Sequence, residues 1–143
     1  MDKASFRTIK HETLAAVDLG SNSFHLQVGR VVEQQIYLLD SLREPVRLGG
    51  GFTRDGRIDR ATQLRALEAL GRFGERLRGF PRSAVRAVGT NALRVAKNAG
   101  QFLAEARGAL GFPIEVIFGR EEARLIHLGV SHSLPVSPDK RLV

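Results

Sequence analysis

Hydrophobic and polar positions alternate along the first third of the chain in a pattern typical of strands. Residues 14–19 form a short apolar run, as expected for a buried strand. Residues 24–32 then alternate, with Arg30 in phase with the apolar positions of one face. A polar turn at residues 33–35 leads into a third predicted strand at residues 36–46. Successive strands joined by short turns predict an antiparallel three-strand meander.

The next segment has the periodicity of an amphipathic helix. Asp59 is a typical N-cap, and Gly79 with Pro81 is expected to end the helix. Apolar residues recur at spacings of three and four; they are Leu64, Leu67, Leu70, Phe73, Leu77 and Phe80. The glycine-rich residues 48–56 before this helix lack the lysine of a phosphate-binding P-loop, so we expect a flexible loop there.

Strands and helices alternate in the rest of the chain. The pattern predicts, in order, a strand at residues 84–88, a short helix at 92–97, a helix that ends at Gly111, a strand at 113–118 and a helix at 119–132. Asn98 is predicted to cap the second of these helices, with Gln101 as its capping-box partner. Helical crossovers connect parallel strands. The fold class is therefore α/β, with a meander followed by β–α units in one mixed sheet.

Length and composition limit the class of protein. A chain of 143 residues with 43% hydrophobic residues is expected to form one domain. The absence of cysteine excludes disulfides and thiolate metal sites. No apolar run is long enough to cross a bilayer. Residues 1–13 are interpreted as a polar leader without the apolar core of a secretory signal. A cytoplasmic location is expected.

The charge balance favours an anionic partner. The net charge is +7, from 22 Lys+Arg against 15 Asp+Glu. Such an excess is typical of proteins that bind nucleic acid, polyphosphate, phosphorylated nucleotides or acidic membranes, although a basic solvated surface is an alternative explanation. The chain has one tyrosine, no tryptophan and no RNA-binding signature. We therefore expect no specific nucleic-acid binding and no membrane insertion.

The first motif that indicates chemistry is DLGSNS at residues 18–23. Asp18 lies at the end of the predicted buried strand and can hold Mg²⁺ directly or through water. The side chains of Ser21, Asn22 and Ser23, with successive backbone N–H groups, can surround a phosphate. A hairpin turn with an Asx-type hydrogen bond from Asp18 is the structural alternative.

The second motif is GTNALR at residues 89–94, where a predicted strand turns into a helix. Helix N-termini attract anions through free N–H groups and the helix dipole. Arg94, one turn into the helix, can face a cleft at this edge. Ordinary capping by Thr90 or Asn91, with a solvated arginine, explains the same residues.

The third motif is GREEAR at residues 119–124, again between a predicted strand and a helix. One of Glu121 and Glu122 can act as a general base that activates water. Stabilisation of the helix N-terminus by acidic residues is the alternative. If the three preceding strands are parallel, all three motifs lie at the carboxyl edge of one sheet, where open α/β sheets bind ligands. A metal carboxylate, an arginine and a base at one edge are typical of phosphoryl transfer.

Three blocks in this order resemble the exopolyphosphatase / guanosine pentaphosphate phosphohydrolase family. They are AVDLGSNSFH at residues 16–25, GT with ALR at residues 89–94, and G with EEARLI at residues 119–126. The resemblance implies an actin-like, ribonuclease-H-like fold and Mg²⁺-dependent removal of terminal phosphates from polyphosphate or guanosine pentaphosphate. By this similarity Asp18 would organise the metal and Glu122 would be the catalytic base. The residues implied to contact substrate phosphate are Ser21, Asn22, Ser23, Thr90 and Arg94.

The chain stops where the family continues from a strand like residues 141–143 into a second phosphate loop, DIGGGS. The resemblance therefore implies that residues 14–143 form an incomplete N-terminal lobe of a two-lobe phosphohydrolase with little or no activity alone. An exposed sheet edge or apolar face would favour a homodimer. An actin-like ATP-binding or sugar-kinase-type lobe is the alternative function, distinguished by nucleotide binding. The choice between polyphosphate and guanosine pentaphosphate stays open.

Overall fold

The structure, a computed structural model, describes residues 12–117. The strands in this range are β1 Thr13–Leu19, β2 Ser23–Val32, β3 Gln35–Pro45, β4 Val85–Gly89 and β5 Glu115–Val116. The α-helices are α1 Arg60–Arg76, α2 Asn91–Val95 and α3 Ala99–Leu110. Short 3₁₀ turns occupy Leu48–Gly51 and Arg82–Ala84. The predicted helix at residues 119–132 lies outside this range. The predicted leader at residues 1–13 lies outside it except for its last two residues, and Thr13 already belongs to β1.

All strands belong to one five-stranded sheet in the order β3-β2-β1-β4-β5. β1, β2 and β3 pair antiparallel, and β1, β4 and β5 pair parallel. The chain passes through helices between β1 and β4 and between β4 and β5, as expected for the connections of parallel strands. This topology confirms the predicted meander followed by β–α units in a mixed sheet.

The core covers one face of the sheet. Alternate residues of β1 (Ala15, Val17 and Leu19) belong to the same buried cluster as the inner residues of α1 and α3. The largest buried side chains of that cluster are Phe24, Phe73 and Phe102. Successive side chains of a strand point to opposite faces, so Asp18 lies on the other face, away from the helices.

The strand predictions need two corrections. Arg30 is exposed, whereas Phe24, Leu26 and Val28 of the same predicted face are buried. The β2–β3 register shifts between Val28 and Gly29. Such a bulge increases the local twist, and Arg30 lies beyond it, near the end of the strand. β5 is also shorter than the strand predicted at residues 113–118.

Helix α1 begins as predicted but buries a different face in its first turn. The Asp59 side chain caps it, accepting from Thr62 N at 2.8 Å. Leu64 is 47% exposed, while Thr62 and Gln63 are buried. Gln63 donates its side-chain amide to Ile58 O at 2.8 Å. The first turn therefore packs on the preceding segment, and this explains why the expected burial of Leu64 is wrong.

The capping box predicted at Asn98 is also wrong. Asn98 precedes α3 but makes no side-chain hydrogen bond to that helix. Its amide bonds instead to the backbone of Ile58, at 2.9 and 3.0 Å. The predicted helix end is confirmed, because Gly111 has the left-handed φ of 89° expected of a C-cap glycine.

Part of the glycine-rich segment is an ordered turn and not the predicted flexible loop. Leu48–Gly51 forms a 3₁₀ turn. Gly50 N donates to Arg47 O at 3.1 Å, and Asp59 N donates to Gly51 O at 2.8 Å. These bonds fix the segment because both of its ends are held by backbone groups.

None of the helices within residues 12–117 is long and apolar enough to span a membrane.

Candidate phosphate-binding site

Asp18 is held near the carboxyl end of β1 by pairing on both sides. It lies opposite His25 of β2 and Val88 of β4. The residue is half-buried, and its Oδ1 atom is shielded from solvent. A carboxylate in this position places hard oxygen atoms near the carboxyl edge of the sheet, on the face opposite the helices.

The turn at residues 20–23 follows Asp18 directly and is closed by a bond from Gly20 N to Ser23 O at 3.1 Å. A Cβ atom on Gly20 would lie 2.9 Å from Ser23 O, so only glycine fits without a shift of the turn. Ser21 and Asn22 are exposed and Ser23 is buried. The exposed pair carries a hydroxyl and an amide, which are suitable donors for an anion.

The backbone carbonyls of this turn are hydrogen-bonded to the segment before α1. Ser21 O accepts from Gly49 N at 2.9 Å, and Asn22 O accepts from Arg47 N at 2.8 Å. Arg47 has the left-handed φ of 56°, which is uncommon outside glycine. These carbonyl groups therefore face the Leu48–Gly51 turn. Sequence reasoning missed this contact, since no periodic pattern marks it.

The second motif joins the first through the backbone. Thr90 N donates to Leu19 O at 3.1 Å, and Thr90 O accepts from Leu93 N at 3.0 Å. Thr90 is half-buried, and Arg94 is exposed on the short helix α2. The structure thus brings Asp18, the turn at 20–23 and Thr90 together at one edge, as the parallel arrangement predicted.

The strand before the third motif reaches the same edge. Val116 of β5 pairs in parallel with Gly89, and Ile117 N donates to Gly89 O at 3.2 Å. Glu121 and Glu122 lie outside the described residues. The role expected of Glu122 therefore stays a prediction.

A row of cross-strand partners crosses the face opposite the helices, beside Asp18. Cross-strand partners share a face of the sheet, and the register aligns Arg43, His25 and Asp18 on β3, β2 and β1. The row continues through the apolar and fully buried Val88 to Glu115. This face therefore carries both cationic and anionic groups, in contrast to the apolar face beneath the helices.

The donor set fits magnesium only in part. Within residues 12–117 no three His, Asp or Glu side chains are grouped as metal ligands. Mg²⁺ is usually held by one or two carboxylates, with substrate phosphates and water completing its shell. The single carboxylate of Asp18 beside an anion-binding turn is compatible with that mode, because the phosphates themselves would supply further oxygens.

The sheet order and the loops at its carboxyl edge define an α/β lobe of the actin-like, ribonuclease-H-like type. The chain belongs to the Ppx/GppA phosphatase family, since the model of that family matches residues 27–143.

Solved structures of the family are similar to this chain. The Ppx/GppA family member of Aquifex aeolicus superposes with a TM-score of 0.75 at 26% identity over 88% of this chain and 41% of its own. An exopolyphosphatase from Cytophaga hutchinsonii gives 0.74 at 30% identity over 88% of this chain and 40% of its own. An exopolyphosphatase-like protein gives 0.73 at 32% identity over 83% and 36%. The chain thus spans about two fifths of these structures.

Proposed function

We propose that the protein hydrolyses terminal phosphoanhydride bonds of inorganic polyphosphate or guanosine pentaphosphate in a Mg²⁺-dependent reaction. The observation that supports it is the joining of Asp18, the turn at residues 20–23 and Thr90 at one sheet edge, in a member of a phosphatase family. The net charge of +7 suits either polyanionic substrate. The choice between the two substrates is left to experiment.

The described residues would bind and orient the terminal phosphate. The Ser21 hydroxyl and Asn22 amide would donate to its oxygens, and Arg94 would add a charge-assisted contact. Asp18 would hold Mg²⁺. The bound ion would neutralise charge on the phosphate oxygens, as in other phosphoryl-transfer sites.

Water activation is assigned to Glu122 by the family resemblance. Glu122 would accept a proton from the attacking water while the water oxygen bonds to the terminal phosphorus. The bridging P–O bond breaks in line, and the electron pair leaves with the shortened polyphosphate or guanosine tetraphosphate. The products are inorganic phosphate and a substrate shorter by one phosphate.

The proposal includes the behaviour of the 143-residue chain. Because it spans about two fifths of the similar structures, we expect little or no turnover from this stretch alone. Substantial Mg²⁺-dependent turnover by residues 1–143 would contradict that expectation. The cytoplasmic location and the homodimer expected from the sequence remain predictions; a monomeric mass in light scattering across concentrations would contradict the dimer.

The test is phosphate release from long polyphosphate and from guanosine pentaphosphate, with Mg²⁺ or with excess chelator. The protein should be carried through to the end of its reading frame. Asp18→Asn and Glu122→Gln should each lower turnover about 100-fold or more. Asp40→Asn is the matched control, because Asp40 is a carboxylate of β3 that pairs with Arg76 away from the turn at 20–23.

The preferred substrate would decide between the two activities. If a folded protein releases phosphate from neither substrate, or if Asp18→Asn retains full turnover, the proposal is wrong. Saturable ATP binding by that inactive protein would then favour the actin-like nucleotide-binding alternative.

A further inference from the structure

The side chain of Asn98 makes an unusual contact with a residue far away in sequence. Its Oδ1 accepts from Ile58 N at 2.9 Å, and its Nδ2 donates to Ile58 O at 3.0 Å. The amide therefore pairs with both backbone groups of one residue, as a neighbouring strand would. Ile58 is 1% exposed, so these backbone groups are largely protected from competing water.

Asn98 sits at the junction between α2 and α3, next to the helix that carries Arg94. Lys97 N adds a backbone bond to Gly56 O at 2.9 Å. Consecutive residues of the junction are thus tied to consecutive parts of the segment before α1. The helix α2 is only 5 residues long and too short to be stable by itself. Its start is held by the buried Leu93 and by Thr90, and these bonds hold its other end.

The segment that Asn98 holds also contacts the first phosphate turn. We call residues 47–58 the strap. At its start, Arg47 N and Gly49 N donate to the carbonyls of Asn22 and Ser21, at 2.8 and 2.9 Å. The strap therefore joins the turn at residues 20–23 to the α2–α3 junction.

The strap is stiffened by bonds between its own halves. Phe52 and Ile58 form an antiparallel bridge, and Thr53 N donates to Arg57 O at 2.7 Å. Thr53 and Arg57 both bond to the Asp55 side chain, and the Thr53 hydroxyl holds the pKa of Asp55 below its usual value. Because the strap is stiff, it keeps the turn at residues 20–23 and the α2–α3 junction at a fixed distance from each other.

We propose that Asn98 is a positioning residue for phosphate binding. Its paired bonds to Ile58 hold α2 at a fixed place relative to the turn at residues 20–23, so that Arg94 and Ser21 contact the same substrate. The inference rests on the proposed function. Asn98 touches no substrate and acts through Arg94.

A double-mutant cycle tests this role with the protein carried through to the end of its reading frame. The variants are Asn98→Ala, Arg94→Ala and the double variant, and kcat/KM for phosphate release from polyphosphate is the measurement. We expect Asn98→Ala to lower kcat/KM about 10- to 100-fold. The kcat/KM of the double variant should be no lower than that of Arg94→Ala alone. If Asn98 acts only by placing Arg94, its loss has no further effect once Arg94 is absent.

Asn98→Asp provides a second variant in case Asn98→Ala does not fold. An aspartate keeps the acceptor for Ile58 N but sets its second carboxylate oxygen against Ile58 O, where two acceptors repel each other. Its kcat/KM should fall at least as far as that of Asn98→Ala, and its loss should likewise vanish in the Arg94→Ala background.

Arg107→Ala is the matched control for stability. Arg107 lies in α3, the helix that Asn98 precedes, and its side chain also bonds a backbone carbonyl, Ile114 O at 3.0 Å, but at the far end of that helix. It should lower the Tm and leave kcat/KM unchanged. If Asn98→Ala behaves like Arg107→Ala, or if its loss multiplies with that of Arg94→Ala, Asn98 has only a structural role. If the unmodified protein releases no phosphate, the proposed function itself fails and the positioning role fails with it.

Discussion

The covered face of the sheet and its carboxyl edge are held together by different contacts. The covered face depends on large side chains, and Phe24, Phe73 and Phe102 are fully buried there. The edge depends on backbone hydrogen bonds between small residues such as Ser21 and Gly49. The stability of the fold should therefore fall when side-chain atoms are removed from the covered face, and when atoms are added at the edge.

The largest expected effect is on the covered face. Phe73→Ala should lower the free energy of unfolding by about 3–5 kcal/mol, because it leaves a cavity between α1 and the sheet. Phe73→Leu keeps most of the apolar volume and should cost clearly less. Chemical denaturation monitored by circular dichroism measures both. Equal losses for the two substitutions would show that packing at Phe73 is not what stabilises this face.

Addition of a single methyl group tests the edge. A Cβ atom on Gly51 would lie 2.6 Å from the Cβ atom of Thr62 and closer still to its hydroxyl, so Gly51→Ala should cost about 1–3 kcal/mol through overpacking. Gly50→Ala is the control next to it, since a Cβ atom there meets nothing within 4 Å. Denaturation midpoints of the two variants give the comparison. The distinction between face and edge breaks down if the two alanines are equally tolerated.

The helix cap at the end of the strap should have a smaller effect. Asp59→Ala removes the acceptor for Thr62 N and should lower the Tm by about 3–5 °C. Asp59→Ser retains an acceptor and should recover most of the loss. Differential scanning calorimetry can resolve such shifts. A serine variant as unstable as the alanine variant would mean that the cap bond contributes nothing.

The smallest expected effect concerns an ion pair at the margin of the covered face, and it depends on pH. Arg72 of α1 bonds both carboxylate oxygens of Glu44 on β3 at 2.9 Å. The Arg72 hydrogen bond holds the pKa of Glu44 below its usual value of 4.5. The pair therefore stabilises the fold above the unfolded-state pKa, and this contribution is lost as the pH falls through the lowered pKa.

Glu44→Gln should thus lower the Tm by about 1–4 °C at neutral pH and match the unsubstituted protein near pH 3. Thermal melts across this pH range measure the difference. A gap that persists unchanged at acid pH would exclude the carboxylate charge as its cause.

The sequence predicted the periodic parts of the fold well. The β1–β3 meander, helices α1 and α3, the Asp59 cap and the Gly111 helix end follow from patterns within a few residues. The buried residues in the first turn of α1 could not be predicted from the sequence pattern. Its partner is the strap and not the sheet, and hydrophobicity alone does not indicate that Thr62 and Gln63 are buried in place of Leu64.

The site was predictable to the same extent. The motif at residues 18–23 and the strand before Thr90 indicated a shared edge, because parallel strands end on the same side. The contacts of Asn98 with Ile58 and of Gly49 with Ser21 were not predictable. Each contact uses backbone groups of a residue far away in the chain, and such bonds follow no pattern of composition or spacing.

The parallel pairing of β1 with β4 has a consequence for biosynthesis. Ala15 on β1 pairs with Val85 on β4, so most of the described chain must be translated before the two strands can meet. The meander needs only local contacts and can form early on the ribosome. Until β4 emerges, β1 is an open edge with unpaired backbone groups, which is a typical starting point for aggregation. The strand that carries Asp18 is therefore a part of the nascent lobe that chaperones would need to protect until β4 has formed.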